Sequence, residues 1–287
     1  MRRANAIQKD SEEIETVEDL TGVFESLAST QVAKIKSKVE LSKEFFDMLW
    51  AKYSALRVDP NSWITQRERE DNGRDVYVII TAEAGLSGDI DQRLIETVLA
   101  DYDPKTTDLI VLGTHGAQQL MQRNIPLKRY FKVPFSDSYL DVSPVIEAVQ
   151  PYRTAKIYYE EYISLGEQGI KSMDLIEHIQ VMSEDAQYDD EVITDKDTIF
   201  EPSLEEIADI METAMMTLTF SQAILESGLA QDASRFNAMA VAKKRAMELI
   251  GLYRLEFHRS KRSENDRQMR EVMISIKRKK KSRMHHV

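Results

Sequence analysis

The chain has 287 residues, of which 30% are charged and 42% hydrophobic, and it carries a formal net charge of −11. An acidic balance of this size excludes a general nucleic-acid binder. With no cysteine, disulfides, cysteine metal sites and cysteine nucleophiles are excluded too. No run of eighteen apolar residues occurs, so no segment reads as a membrane-spanning helix, and Met1 to Asp10 is polar, unlike a signal segment.

Taken in chain order, the helix breakers divide the sequence in three. Prolines stand only at Pro60, Pro104, Pro126, Pro134, Pro144, Pro151 and Pro202. A proline costs a helix interior about 3 kcal/mol, so both ends are free to form long helices. Residues 1–60 therefore read as an N-terminal helical arm, 61–202 as a central α/β domain, and 203–287 as a C-terminal helical arm with a basic tail. In the first arm Val17, Leu20, Phe24 and Leu27 step by three and four, and Phe45, Leu49, Tyr53 and Leu56 resume the pattern. Such a stripe predicts the buried seam of a coiled coil.

The centre alternates between strand and helix signals. Val76-Tyr77-Val78-Ile79-Ile80 is a continuous apolar run, as expected of a strand buried on both faces. Gly85-Leu86-Ser87-Gly88 makes a turn, and Ile90 to Ala100 reads as a helix. Leu109 to Leu112 is a second buried strand ending at Gly113, and Val133 to Phe135 closes the next unit. Ser143 to Gln150 reads as a short helix with Pro144 in its first turn. Ala155 to Tyr162 is a further strand, and Ile176 to Met182 another. Strands separated by helices predict a doubly wound, mostly parallel sheet. Residues 183–201 are acidic and irregular.

The last arm opens on Ser203 with Glu206 three residues on, a capping-box spacing. Leu204, Ile207, Met211, Ala214 and Leu218 then repeat the coiled-coil step. A single helix from Ser203 to Ile276 would be roughly 110 Å long. It needs a partner, and the first arm offers one in an antiparallel, left-handed coiled coil over residues 15–58 and 203–276.

The order of a long helix, a small α/β domain and a very long helix, with certain local runs, resembles the gamma subunit of rotary F-type ATP synthases. Ile79 to Asp91 is similar to that family's turn after its first strand, with Gly85, Leu86 and Gly88 matching and Ser87 standing where the family usually has cysteine. Ala82, Glu83 and Ala84 depart from it. Phe200-Glu201-Pro202 resembles the entry to the family's last helix. Ala223 to Ser227, Ala233 to Met239 and Ala246 to Ile250 follow that helix without a gap. Leu20 to Phe24 matches the first helix more weakly. Near the far end the family's arginine-glutamine pair falls on Lys261 and Arg262, its isoleucine-threonine on Asn265 and Asp266, and its glutamate on Gln268.

The resemblance implies a shaft with no catalytic residue, cofactor or metal of its own. It implies that the shaft stands in a hexameric ring of nucleotide-binding ATPase subunits, beside an epsilon-type stalk subunit and a membrane rotor ring, peripheral on the cytoplasmic face. It places the contact with the ring at Phe24, Arg259, Lys261, Arg262, Asp266, Arg267, Gln268, Met269 and Met273, and a structural turn at Gly85, Leu86 and Gly88. From His258 to Gln268 no residue is apolar, and a helix polar on all faces predicts water or a polar partner around it. Apolar residues return at Met269, Val272, Met273 and Ile276. The tail from Lys277 to Arg283 is basic and suits solvent or an acidic protein partner.

Other chemistries are weaker. Asp108 to Gly116 resembles the glycine turn of nucleotide-binding universal stress proteins, but Ala117 to Ile125 lacks the second glycine and serine that complete it. Ser87 is no hydrolase nucleophile, because Asp89 stands where the second glycine is needed. The histidines His115, His178, His258, His285 and His286 have no helical metal-binding spacing, and His115, near Asp108 in sequence, reads as a loop residue.

Overall fold

The absence of proline from both ends leads to two long helices in the computed structural model, which describes residues 4–55, 72–133, 141–175 and 204–284. Helix α1 spans Ala4–Ala55 and the last helix, α5, spans Leu204–Met284. Between them lie β1 (Asp75–Ile80), α2 (Ile90–Asp101), β2 (Thr107–Leu112), α3 (Thr114–Gln122), β3 (Arg129–Phe131), α4 (Ser143–Val149), β4 (Thr154–Ser164) and β5 (Glu167–Asp174). The chain forms two compact units, Met1–Ser26 with Met239–Val287, and Leu27–Ala238.

In the first unit the two helices run antiparallel. Ala4 N bonds Glu264 Oε1 at 3.3 Å, Arg254 pairs with Glu15 at 3.1 Å, and Lys243 with Glu25 at 3.1 Å, so residue numbers fall along α5 as they rise along α1. The seam differs from the predicted one. Val17, Leu20 and Phe24 are exposed, Leu20 to 54%, as is Leu27 in the second unit, and the buried positions of α1 are Ala4, Ile7 and Thr21 in the first unit and Ala28, Ile35 and Phe46 in the second. Ile7, Thr21, Ala28 and Ile35 keep the heptad spacing. On α5 the matching buried positions are Met239, Ala246, Ile250 and Ser260. Ala4, Thr21, Ala246 and Ser260 are small and let the backbones approach closely, while Ile7, Met239 and Ile250 supply the bulk of this seam.

The second unit holds a five-stranded sheet of order β3-β2-β1-β4-β5. The first four strands are parallel and β5 is antiparallel to β4. The period-two alternation of strands gives each face its own core. Ile79, Leu109, Val111 and Tyr158 pack with Leu94, Ile95 and Val98 of α2 and with Ala117 and Leu120 of α3. Val76, Val78, Ile80, Ile110, Leu112, Ala155 and Ile157 pack with Val145 and Val149 of α4, Phe46 of α1, and Met215, Phe220 and Ile224 of α5. Burying each of these large side chains contributes about 1.5–3 kcal/mol. The doubly wound, mostly parallel fold is thus present, with helices on both faces.

Three local expectations change. The third strand is Arg129–Phe131, which pairs with Ile110–Leu112; of the stretch Val133 to Phe135 read as closing this unit, Pro134 and Phe135 lie outside the described residues. Strand β5, broken in sequence by Gly166 and Gly169, forms because β4 continues to Ser164 and turns back on itself. The helices extend beyond the coiled-coil bounds expected at residue 15 and at Ile276, with α1 starting at Ala4 and α5 ending at Met284. The strand expected at Ile176 to Met182, the acidic stretch 183–201, the Ser203 cap and the seam position Leu56 lie outside the described residues.

Candidate functional site

The Gly85–Gly88 turn is where the sheet end meets α5. Leu86 and Gly88 take positive φ, 70° and 72°, a conformation glycine adopts freely and leucine only under strain. A side chain at Gly88 would meet Ser234 Oγ at 3.4 Å and Ala238 Cβ at 3.9 Å, so α5 passes close over the turn. Ser234 Oγ donates to Ser87 O at 2.6 Å, and Arg235 reaches Ala84 O at 3.4 Å and Gly85 O at 3.5 Å. Arg235 is itself held by Asp232 one turn earlier.

Asp91, 1% exposed, organises the turn from inside. Its carboxylate accepts from Ala82 N at 2.9 Å and Ser87 Oγ at 3.0 Å, and bonds His115 Nδ1 at 2.8 Å. Hence His115 is no free loop residue. Its partner is Asp91 and not Asp108, which is taken by Arg74 at 2.7 Å, Tyr152 at 3.0 Å and Lys128 at 3.7 Å. Burial pulls the Asp108 carboxyl up, but the bonds from Tyr152 and Arg74 outweigh it and hold it below the ordinary range.

The Gly113–Gly116 turn is closed from within. Gly113 N donates to Phe131 O at 3.0 Å, His115 N to Ala82 O at 3.0 Å, and Gly116 N to Thr81 Oγ1 at 3.1 Å. The amides that would greet a phosphate are therefore spent, and Thr81 fills the space above them. Titration of the full chain with magnesium ATP should give no binding heat at this turn in calorimetry. Micromolar binding would reopen the stress-protein alternative.

Every residue expected to meet a ring lies on the surface. Phe24 is 38% exposed, Met269 62% and Met273 60%. Arg259, Lys261, Arg262, Asp266, Arg267 and Gln268 are exposed as well. Arg267 bonds Glu271 at 3.1 Å along the helix, and Lys261 lies over the Phe257 ring at 5.5 Å. The sheet-end turn is in the second unit, and these residues are in the first. The expected seam residues Val17 and Leu20 join Phe24 and Val23 as outward apolar residues, with Val241, Met247, Leu249, Leu252 and Leu255 on α5. Exposed apolar surface on this scale marks a site that another protein covers.

Sequence reasoning passed over Glu160, Ser227, Gln231, Ser234 and Arg235, which join β4 and the turn to α5. The signal was present: a glutamate inside the run Ala155 to Tyr162, and polar residues at i, i+4 and i+7 on an otherwise apolar helix face.

Two long helices around a doubly wound sheet, with an apolar face turned outward, define a helical-arm protein built to sit inside an assembly. The family model described as ATP synthase matches residues 3–276. The chain belongs to the ATP synthase gamma-chain family. It is 22% identical over 281 residues to the ATP synthase gamma chain of Symbiobacterium thermophilum, covering 93% of this chain and 95% of that relative. It is 26% identical over 212 residues to the gamma chain of Staphylococcus aureus, covering 70% of this chain and 72% of that relative. Among solved structures it resembles a chain of the Euglena gracilis mitochondrial ATP synthase assembly of OSCP, F1 and c-ring, with TM-score 0.65, 16% identity, and coverage of 95% of this chain and 94% of that one. A chain of the Tetrahymena thermophila mitochondrial ATP synthase central stalk and c-ring gives TM-score 0.56 at 17% identity, covering 78% and 99%. At these identities the structural likeness carries the fold.

Proposed function

We propose that this chain is the central shaft of a rotary ATP synthase, turned by a membrane rotor ring and turning within a hexameric ring of nucleotide-binding subunits. The observation that carries this reading is the first unit's inside-out distribution of apolar residues. A helix pair whose Leu20, Phe24, Leu252 and Leu255 face outward needs a surrounding protein. Catalysis belongs to that ring. The shaft acts by presenting different faces to chemically identical sites, which requires stiffness and asymmetry and no acid, base or nucleophile of its own. No described helix is long and apolar enough to cross a membrane, which fits a peripheral subunit held at the cytoplasmic face by its complex, beside an epsilon-type stalk subunit.

Within this reading the polar stretch His258 to Gln268 is a collar that runs against acidic loops of the ring, and Met269 and Met273 begin an apolar tip in a greasy bearing. The collar's contacts must remain weak, about 0–1 kcal/mol each, because tight ones would lock rotation.

The direct test is to tag the chain and purify it from membranes in mild detergent. The expected result is a complex holding larger ATPase subunits in ring stoichiometry together with a membrane rotor. A ring without the rotor would assign the chain to a hydrolytic relative, and neither would reject the reading.

A further inference from the structure

Glu160 lies on β4 where the sheet end, the start of α2 and α5 converge, and it is fully buried. The Ser227 hydroxyl donates to its Oε2. Gln231 Nε2 donates to the same oxygen at 3.1 Å and to Ser227 Oγ at 2.9 Å, closing a three-member ring of side chains. Glu160 Oε1 is buried with no hydrogen-bond partner.

Among the described residues, no basic side chain is hydrogen-bonded or ion-paired to it. From α2 comes Asp91, whose bonds go to Ala82, Ser87 and His115 of α3. From α5 come the neutral Ser227 and Gln231, while the nearby Glu226 interacts with Tyr159, and Asp232 is spent on Arg235. On β5 the residue opposite is Ile170, and its neighbour Lys171 pairs with Glu161 at 3.3 Å, while Lys171 and Lys43 of α1 both act on Glu226. A buried carboxylate with one bare oxygen, facing a second carboxylate, is strongly disfavoured. A neutral carboxyl keeps both bonds to α5 on Oε2 and leaves Oε1 to carry the proton. Burial first, and the Asp91 charge second, push this carboxyl well above its ordinary range.

We propose that Glu160 is a proton-carrying clasp that joins the sheet to α5 through Ser227 and Gln231, and that loss of its proton opens the joint. The inference goes beyond the shaft reading and concerns the chain's own junction, so it can fail while that reading stands. The sign follows from linkage. The closed joint binds the proton more tightly than the open one, so opening becomes easier as pH rises from the ordinary carboxyl range to the raised value, and levels off above it.

Hydrogen exchange of the full chain tests this. For the amides of α5 around Ser227 and Gln231, the opening equilibrium, after division by intrinsic exchange, should rise by up to about tenfold per pH unit as pH climbs above the ordinary carboxyl range. Glu160→Gln, isosteric and unable to ionise, should give a flat profile. Infrared spectra of the wild-type chain just above the ordinary carboxyl range should independently show a buried protonated carboxyl band, which serves if the variant does not fold. A wild-type profile as flat as that of Glu160→Gln, equal slopes in both proteins, or no protonated carboxyl band just above the ordinary range would overturn the proposal.

Discussion

Alanine at Gly113 should destabilise the second unit by about 3–5 kcal/mol, the sum of backbone strain and overpacking. Gly113 sits at φ 103°, and a Cβ built there falls 2.1 Å from Thr81 O, a backbone atom that cannot move without disturbing β1. Gly116 is nearly as tight, with a Cβ 2.4 Å from Thr81 Cγ2 and 2.5 Å from Thr81 Oγ1. The close approach serves a purpose, since Thr81 Oγ1 also donates to Leu112 O at 2.9 Å and ties the ends of β1 and β2 together. Gly166→Ala and Gly251→Ala make the controls, because nothing lies within 4 Å of either new carbon. Gly251 lies inside α5, where alanine should be stabilising by up to about 1 kcal/mol. Denaturant unfolding of the full chain, with hydrogen exchange assigning the loss to β1 and β2, measures the difference. Equal stability for Gly113→Ala and Gly166→Ala would mean that the turn is not closed on Thr81.

The same turn shows how far the sequence could be read. Gly113 and Gly116 after an apolar run look alike whether they cradle a phosphate or a threonine. What decides is Thr81, more than thirty residues away and brought there by the parallel pairing of β1 with β2. The buried strands were legible because Val76 to Ile80 and Leu109 to Leu112 are apolar without a break, which only two-sided burial requires. The seam of the helical arms was not. A stripe such as Val17, Leu20, Phe24 and Leu27 carries the coiled-coil step whichever way it faces, and periodicity gives the spacing of a face but not its partner. Ile7, Thr21 and Ala28 keep the heptad equally well, and Thr21 and Ala28 are small enough to allow the closer pairing. The polar character of His258 to Gln268 carried over to the structure because a stretch with no apolar residue has no face to bury. Only Ser260 turns into the seam.

That stretch carries the second large effect. Reversing Arg259, Lys261 and Arg262 together to glutamate should leave the complex assembled and lower its coupled turnover by about tenfold. Three contacts of up to about 1 kcal/mol each, turned from attraction to repulsion, reach or exceed the 1.4 kcal/mol that a tenfold rate change requires. All three side chains are exposed, so the pairing of α1 with α5, which rests on Ile250, Ala246 and their neighbours, should survive. The loss should be greatest at low salt and shrink as salt screens the collar. Deleting Lys277 to Val287 should matter less, because that segment lies beyond the apolar tip. Steady-state turnover across a salt series, with assembly checked by gel filtration, separates the outcomes. Unchanged turnover in the triple variant, with assembly lost in the deletion, would make the tail the docking element and remove the collar.

The central claim is that this chain turns. The absence of cysteine means that one introduced cysteine is the single thiol this chain offers to a label, and Gly166, in the β4–β5 turn with nothing within 4 Å of a new Cβ, is a position that can carry it. A bead attached through Gly166→Cys, on a complex whose catalytic ring is fixed to a surface, should rotate in one direction when ATP is supplied and stop when it is withdrawn. A labelled complex that hydrolyses ATP at the wild-type rate while the bead stays still would contradict the account.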